Sequence, residues 1–178
     1  MLMRFLLFFS FIVSCIISNS SSHAESFGKW HTGTTNSGEK LFFAVTANDS
    51  GNLLGQYCSP STGNCIWLLG MNASCKEGDQ YPVLANSDKG AAHILVYCNA
   101  KLDNGLYSYV FTDFDAVNDF VMKGSKIGFA VPLQSDQFRV VRFDLIGSNR
   151  AISTMRSIAE KAQRKSPSKI TNTRDQDL

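Results

Sequence analysis

Short apolar segments separated by turn-forming residues dominate the sequence between Phe27 and Leu145. Gly, Asn, Asp and Ser interrupt them about every 8–12 residues, which is the spacing of consecutive antiparallel strands. The interruptions at 48–52 and 103–105 contain residues that readily adopt left-handed backbone angles, so we expect tight turns there. The pattern predicts a mainly β (α+β) domain, an antiparallel β-sandwich or curved barrel of about nine short strands. The predicted strands are 29–32, 41–47, 53–58, 65–70, 82–85, 92–98, 106–112, 127–131 and 138–145.

Two segments follow the period of a helix instead. In the first, between Asp113 and Gly124, one face carries Phe114, Val117, Phe120 and Val121. Thr112 or Asp113 would be its N-cap, and Gly124 follows its last residue. In the second, after Gly147, the residues that recur at helical spacing are Ile152, Met155, Ile158 and Ala162. We predict one short packed helix and a C-terminal helix that covers one end of the sheet.

The first 24 residues have the pattern of an export signal. Arg4 precedes an apolar run from Phe5 to Ile17, and the small residues that follow suit cleavage after Ala24. The run has about 13 residues, whereas a membrane span needs about 20. The alternative is a lipoprotein anchored through Cys15. We divide the remaining chain into one β-rich domain, 25–164, and a flexible polar tail, 165–178.

Removal of the leader leaves four cysteines: Cys58, Cys65, Cys75 and Cys98. An even number in an exported domain indicates two disulfides in an oxidising compartment, and the spacing is too wide for the paired ligands of a zinc site. Three pairings are possible. Pro60 and Gly63 supply turn geometry within 58–65, so we favour Cys58–Cys65, which leaves Cys75 with Cys98.

Charge is distributed unevenly along the chain. Residues 25–149 carry 9 basic and 12 acidic side chains, whereas residues 150–178 carry 7 and 3. The basic end could contact an acidic partner or anionic lipid, but the pattern is more typical of a solvated helix face. The formal charge of +2 excludes nucleic-acid binding through bulk charge. The candidate interaction residues are Pro60, Thr62 and Asn64 in the disulfide loop, and Arg150, Arg156, Lys161, Arg164 and Lys165 in the basic end.

Motifs that carry catalysis are missing from the sequence. Only His31 and His93 remain after the leader, and neither lies in a nucleophile motif or near a pair of metal-ligating carboxylates. There is no glycine-rich phosphate loop, so we expect no nucleotide cofactor. Asp113 and Asp115 are explained by the start of a helix. We therefore predict no catalytic residues, no cofactor and no metal site.

Two short segments at the edges of the domain suggest a family. The segment 27–30 reads Phe-Gly-Lys-Trp, and 143–152 reads Phe-Asp-Leu-Ile-Gly-Ser-Asn-Arg-Ala-Ile, with paired cysteines between them. In these features the chain resembles invasion-associated locus B proteins. The resemblance implies a small exported β-rich protein of a Gram-negative bacterium, linked to host-cell invasion and without an assigned catalytic site.

The leading functional interpretation is a periplasmic or secreted accessory protein without enzymatic activity, which binds a protein or an envelope component and has a role in virulence or host interaction. The alternative is a secreted inhibitor of a hydrolase that acts through the Cys58–Cys65 loop, because an already ordered loop inserts into a cleft at low entropic cost. An enzyme of unknown class is third. Contact with a membrane would require lipidation at Cys15 or weak contact of the basic tail.

Overall fold

The computed structural model describes residues 24–36, 38–133 and 137–165. The predicted export signal with Cys15 and the tail beyond Lys165 lie outside this part of the chain. The described elements are, in chain order, β1 (Glu25–Phe27), β2 (Trp30–Thr34), β3 (Phe42–Ala47), β4 (Leu53–Cys58), β5 (Cys65–Met71), β6 (Gln80–Ser87), β7 (Gly90–Lys101), β8 (Tyr107–Phe111), α1 (Phe114–Lys123), β9 (Lys126–Pro132), β10 (Phe138–Asp144) and α2 (Ser148–Lys165).

All ten strands belong to one antiparallel sheet in the order β1-β2-β3-β4-β5-β8-β7-β6-β9-β10. Two meanders, β1–β5 and β6–β8, join where β5 pairs with β8. Helix α1 then leads from β8 in the middle of the sheet to β9 beside β6. The last strand, β10, lies at the opposite edge of the sheet from β1, and α2 then packs against β1, β2, β3 and β4.

The sheet curls until its two ends meet, but it does not close. The indole Nε1 of Trp30 donates to the carbonyl of Asp144 over 3.2 Å, and the Nδ2 of Asn48 donates to the carbonyl of Arg142 over 3.2 Å. Side chains therefore replace the backbone ladder that would close a barrel. The predicted mainly β fold is confirmed, and the curved-barrel form describes it better than two stacked sheets.

One additional strand was not expected from the sequence. The segment Glu25–Phe27 pairs with β2 and forms the edge of the sheet, although it is only three residues long. It contains a single apolar residue and so shows no alternation that could predict a strand. The other nine strands occur where the sequence predicts them, and Leu53–Cys58 has the predicted bounds.

The inner face of the sheet and one face of each helix form the core. Trp30, Trp67 and Phe129 are completely buried there, together with Val117 and Val121 of α1. Helix α1 begins as expected, because the carboxylate of Asp113 accepts a hydrogen bond from the N–H of Ala116 over 2.9 Å, a typical N-cap contact. The sequence therefore predicted this helix and its cap correctly.

Helix α2 is placed correctly by the sequence, but its buried face differs in part from the expected one. Ile152 and Met155 are buried as predicted. Ile158 is 41% exposed, and Ala159 takes its place against the sheet. Because a helix has 3.6 residues per turn, the residue four positions after Met155 points closer to the direction of Met155 than the residue three positions after it. Ala159 is therefore buried in place of Ile158. No helix in the described segments is both long and apolar enough to cross a bilayer.

The two sequence segments that carry the family resemblance contact each other. Gly28 has a φ of +65°, and a β-carbon built on it would stand 3.1 Å from the carbonyl oxygen of Ile146. Gly147 has a φ of +93°, and a side chain at this position would overlap the carbonyl oxygen of Phe27. With the Trp30–Asp144 hydrogen bond, these contacts fix the start of the sheet to the entry of α2.

Candidate functional site

Both disulfides join the cysteines favoured by the sequence, Cys58 with Cys65 and Cys75 with Cys98. The first connects cross-strand partners at the ends of β4 and β5. Beyond it the hairpin continues for one more step, since the N–H of Ser59 donates to the carbonyl of Asn64 over 2.9 Å. Residues 59–64 therefore form an ordered tip that is closed by a covalent bond at its base.

Glu39 braces this tip from outside. Its Oε1 accepts hydrogen bonds from the hydroxyls of Ser59 and Ser61, each over 2.5 Å. The side chain is exposed, and these two hydroxyl donors lower the pKa of the Glu39 carboxyl from its ordinary value. The tip is thus held by both a disulfide and a carboxylate that stands about 20 residues earlier in the chain.

The brace predicts a pH effect. Because the hydroxyls favour the charged carboxylate, the folded-state pKa of Glu39 is depressed, so its stabilising effect is present above the unfolded pKa and lost as pH falls through the folded pKa. We expect the Glu39 carboxyl to titrate below the ordinary range in a carbon-detected NMR experiment. Replacement of Ser59 and Ser61 by Ala should raise the midpoint toward the ordinary value. An unchanged midpoint in that variant would contradict the brace.

The C-terminal half of α2 lies directly against the disulfide loop. Gly63 has a φ of +75°, and a β-carbon built on it would stand 2.7 Å from the side-chain Nε2 of Gln163. A cleft of about 100 Å³ between loop and helix is lined by Ser59, Gly63, Glu160 and Gln163, among others. The absence of a side chain at Gly63 allows this close approach.

Loop and helix end therefore form one continuous surface. We call it the loop–helix surface and define it as residues 59–64 together with residues 160–165. Of the predicted interaction residues, it contains Pro60, Thr62, Asn64, Lys161, Arg164 and Lys165. All of these side chains are exposed except that of Pro60, which is half-buried. Among the described residues, Arg164 forms one ion pair, with Glu160 at 4.0 Å. An exposed pair at this distance does not hold the guanidinium firmly.

Arg156 has a different role from the one expected. Its Nε donates to the Oε1 of Gln56 over 2.7 Å, and its guanidinium donates to Asn118 over 2.6 Å and stands 5.7 Å above the ring of Phe114. Burial lowers the pKa of Arg156 from its ordinary value. The side chain thus joins α2 to β4 and α1, and it is not free to bind a partner.

Removal of Arg156 should destabilise the fold. Gln56 is completely buried and its Nε2 has no hydrogen-bond partner among the described residues, so the loss of Arg156 would leave both ends of this amide unsatisfied. We expect Arg156→Met to lower the free energy of unfolding by about 2 kcal/mol in urea titrations. The matched control Arg164→Met should change it by less than about 0.5 kcal/mol. Equal effects of the two variants would contradict this role.

The remaining predicted cation, Arg150, lies at the other end of α2. Its guanidinium stands 5.6 Å from the centre of the Phe27 ring, near the edge strand β1. It is exposed, but it is separated from Lys161 by about three turns of helix, or roughly 16 Å. The structure therefore brings together six of the eight predicted residues and separates Arg150 and Arg156 from them.

Several residues that form or brace this surface could not be recognised in the sequence. Glu39 and Gln163 reach the loop only through tertiary contacts, about 20 and 100 residues away in the chain. The sequence indicates Gly63 only as a turn former. The positive φ at Gly63 agrees with that interpretation, but nothing local indicates that a helix packs against it.

The two histidines lie apart from this surface. The Nδ1 of His31 is 2.9 Å from the hydroxyl of Ser26, its direct partner across the β1–β2 hairpin. Both side chains are exposed, and no carboxylate contacts the ring within the described residues. His93 is exposed on β7. The described segments contain no cluster of three His, Cys, Asp or Glu residues that could hold a metal ion.

The described chain is a small, disulfide-bonded, β-rich domain, in which two helices accompany a strongly curled antiparallel sheet. Among solved structures, the chain is similar to the crystal structure of invasion associated protein B from Bartonella henselae. The TM-score is 0.56 at 16% sequence identity, and the match covers 77% of this chain and 98% of that one. Comparisons with protein families and with curated proteins give no match. The resemblance noted in the sequence is thus confirmed at the level of the fold.

Proposed function

We propose that this chain is an exported, non-enzymatic accessory protein of the periplasm or outer envelope, which binds a protein or envelope component through the loop–helix surface. Export is supported by the two disulfides, which persist in oxidising compartments outside the cytoplasm. The name of the Bartonella protein, invasion associated protein B, supports a role in host interaction. The observation that carries the proposal is the close approach of Gly63 to Gln163.

The chemistry of the surface indicates an acidic partner. The exposed end of the helix carries three cations, Lys161, Arg164 and Lys165. The same part of the helix carries one carboxylate, that of Glu160. The loop adds hydroxyl and amide groups in a fixed geometry. Pre-ordered polar groups lose little conformational entropy on binding, and cations beside them speed association with a negatively charged surface.

The alternative is a hydrolase inhibitor that inserts the Cys58–Cys65 loop into a cleft. The covalent closure and the Glu39 brace favour it, because both order the loop before binding. Helix α2, however, covers the side of the loop at Gly63, so only the other side is free to enter a cleft. A partner that contacts loop and helix together fits the geometry better.

Site-specific photo-crosslinking tests the proposal. A photoreactive amino acid would replace Thr62 on the loop, Lys161 on the helix, or Asn104 as control, in the full exported protein. Asn104 lies in the β7–β8 turn beyond the Met71 end of β5, whereas the loop begins at Cys65, so the two are separated by the length of a strand, roughly 20 Å. We expect the same cross-linked partner at Thr62 and Lys161 and none at Asn104. A partner captured at Thr62 alone would favour the inhibitor.

A further inference from the structure

A groove of about 630 Å³ lies on the outer face of the sheet, at the opposite end of β4 from the loop–helix surface. Its floor is formed by Gly128 and Ala130 of β9. The register places Asn86 of β6 and Arg142 of β10 on either side of Gly128. In the same way, Leu84 and Val140 flank Ala130. Small residues on the middle strand between larger ones on both neighbours make a trough along β9.

The trough changes from apolar to charged along its length. At one end Leu84 and Val140 are 51% and 48% exposed, which is unusual for large apolar side chains that face each other across a small residue. The other end contains Lys126 and Arg142, with Lys29 and Asp49 contributed by the far end of the sheet. A ligand that matches this gradient must be apolar at one end and charged at the other.

The carboxylates at the charged end already have donors. The Oδ1 of Asp88 accepts from the backbone N–H of Ser125 over 2.8 Å, and the Oδ1 of Asp144 accepts from the N–H of Ile146 over 2.8 Å. Asp49 stands 3.5 Å from the ammonium of Lys29. These three acids therefore have favourable partners within the protein.

Lys126 and Arg142 have no such partner within the described part of the chain. No carboxylate of the described segments lies within ion-pair distance of the ammonium of Lys126 or the guanidinium of Arg142. The two residues are diagonal neighbours on adjacent strands, since Arg142 pairs with Gly128, two positions from Lys126. Their side chains are thus close enough, at about 5–8 Å between β-carbons, to bind one anionic group together.

A peptide strand cannot pair with the groove side of β10 at this point. The outward carbonyls of Arg142 and Asp144 already accept hydrogen bonds from Asn48 and Trp30. Strand addition depends on free backbone groups at a sheet edge, so these contacts block it along the charged half of the trough. The volume is within the range of small-molecule pockets.

We propose that the trough binds a single-chain amphiphile with a carboxylate head, such as a free fatty acid. The acyl chain lies on Ala130 between Leu84 and Val140, and the carboxylate accepts hydrogen bonds from Arg142 and Lys126. A singly charged head is favoured because the lining carries three acidic and three basic side chains, so a second negative charge would meet Asp88 and Asp144. This site is independent of the proposed function.

Calorimetric titration of the full chain with dodecanoate below its micelle concentration tests the site. We expect saturable one-to-one binding, with NMR shift changes centred on Gly128 and Ala130. Ala130→Phe fills the trough and Arg142→Gln removes the head contact, and each should weaken binding about tenfold. Lys101→Gln, on an exposed side chain of β7 outside the trough, is the matched control and should bind as the parent does. Thermal unfolding of each variant checks that it folds. If Ala130→Phe does not fold, Lys126→Gln, which changes an exposed side chain, is used in its place to test binding.

Further probes identify the class of ligand. Dodecanol should bind more weakly than dodecanoate, and dodecyl phosphate should not bind more tightly. Equal binding of dodecanol would overturn the role of the two cations, and tighter binding of the phosphate would overturn the singly charged head. No binding of dodecanoate, binding that is unchanged in Ala130→Phe and Arg142→Gln, or binding of an acidic peptide at Gly128 in its place would overturn the proposal.

Discussion

Replacement of Gly147 by Ala is expected to lower the free energy of unfolding by about 4 kcal/mol. Two costs act together at this position. The backbone has a φ of +93°, which is unfavourable for any residue with a β-carbon, and that β-carbon would overlap the carbonyl oxygen of Phe27. The carbonyl of Gly147 also accepts the hydrogen bond from the N–H of Ala151 in the first turn of α2, over 3.0 Å. A displacement of Gly147 is therefore transmitted to the helix.

Gly105→Ala separates the two costs. Gly105 has a φ of +86°, but among the described residues no atom beyond Gly105 and its two chain neighbours lies within 4 Å of the place where a β-carbon would stand. This control should lose only the conformational part, about 1 kcal/mol. Urea unfolding followed by tryptophan fluorescence measures both variants. Similar losses for Gly147→Ala and Gly105→Ala would show that the contact between Phe27 and Gly147 does not constrain the fold.

Removal of the Cys75–Cys98 disulfide is expected to have the second largest effect, about 3 kcal/mol. This bond spans 23 residues of sequence and ties the segment before β6 to the middle of β7. The unfolded chain gains more conformational freedom from opening a long loop than a short one. The Cys58–Cys65 bond spans only seven residues, so its removal should cost about 2 kcal/mol.

Paired Cys→Ala substitutions of each bond provide the comparison. Urea unfolding of the two double variants should give a larger loss for Cys75→Ala with Cys98→Ala than for Cys58→Ala with Cys65→Ala. The short bond has a second expected effect that the long one lacks, namely weaker partner binding, because it orders residues 59–64. A larger stability loss from opening the short loop would contradict the chain-entropy explanation.

The strands other than Glu25–Phe27 were predictable because each is a short, largely apolar segment bounded by turn-forming residues. In Lys126–Pro132 buried positions alternate with more exposed ones, whereas Leu53–Cys58 is buried along most of its length and has defined turns on both sides. The strand Glu25–Phe27 was not, because it depends on Gly28 turning the chain back onto β2 and not on an apolar pattern. A strand can be recognised in the sequence by the periodicity of its apolar residues. A short edge strand that is held in place by one turn shows almost no such periodicity.

The candidate site was predictable only as separate parts. The loop was identified from its cysteines and turn residues, and the helix end from its charge, but their contact joins Gly63 to Gln163 across about 100 residues. Arg156 was counted with the surface cations because of its charge. Its spacing of four from the buried Ile152 was the signal that it stands at the edge of the buried face and contacts the sheet.

The most direct test of the loop–helix surface is the affinity for the cross-linked partner, measured with three variants of the full exported protein. Thr62→Arg changes the loop, Lys161→Glu with Arg164→Glu changes the helix end, and Lys101→Glu is the control on the exposed part of β7. If one partner contacts both segments, the loop and helix variants should each weaken binding at least about tenfold, and the control should bind as the parent does. Full affinity in either the loop or the helix variant would contradict a single loop–helix surface.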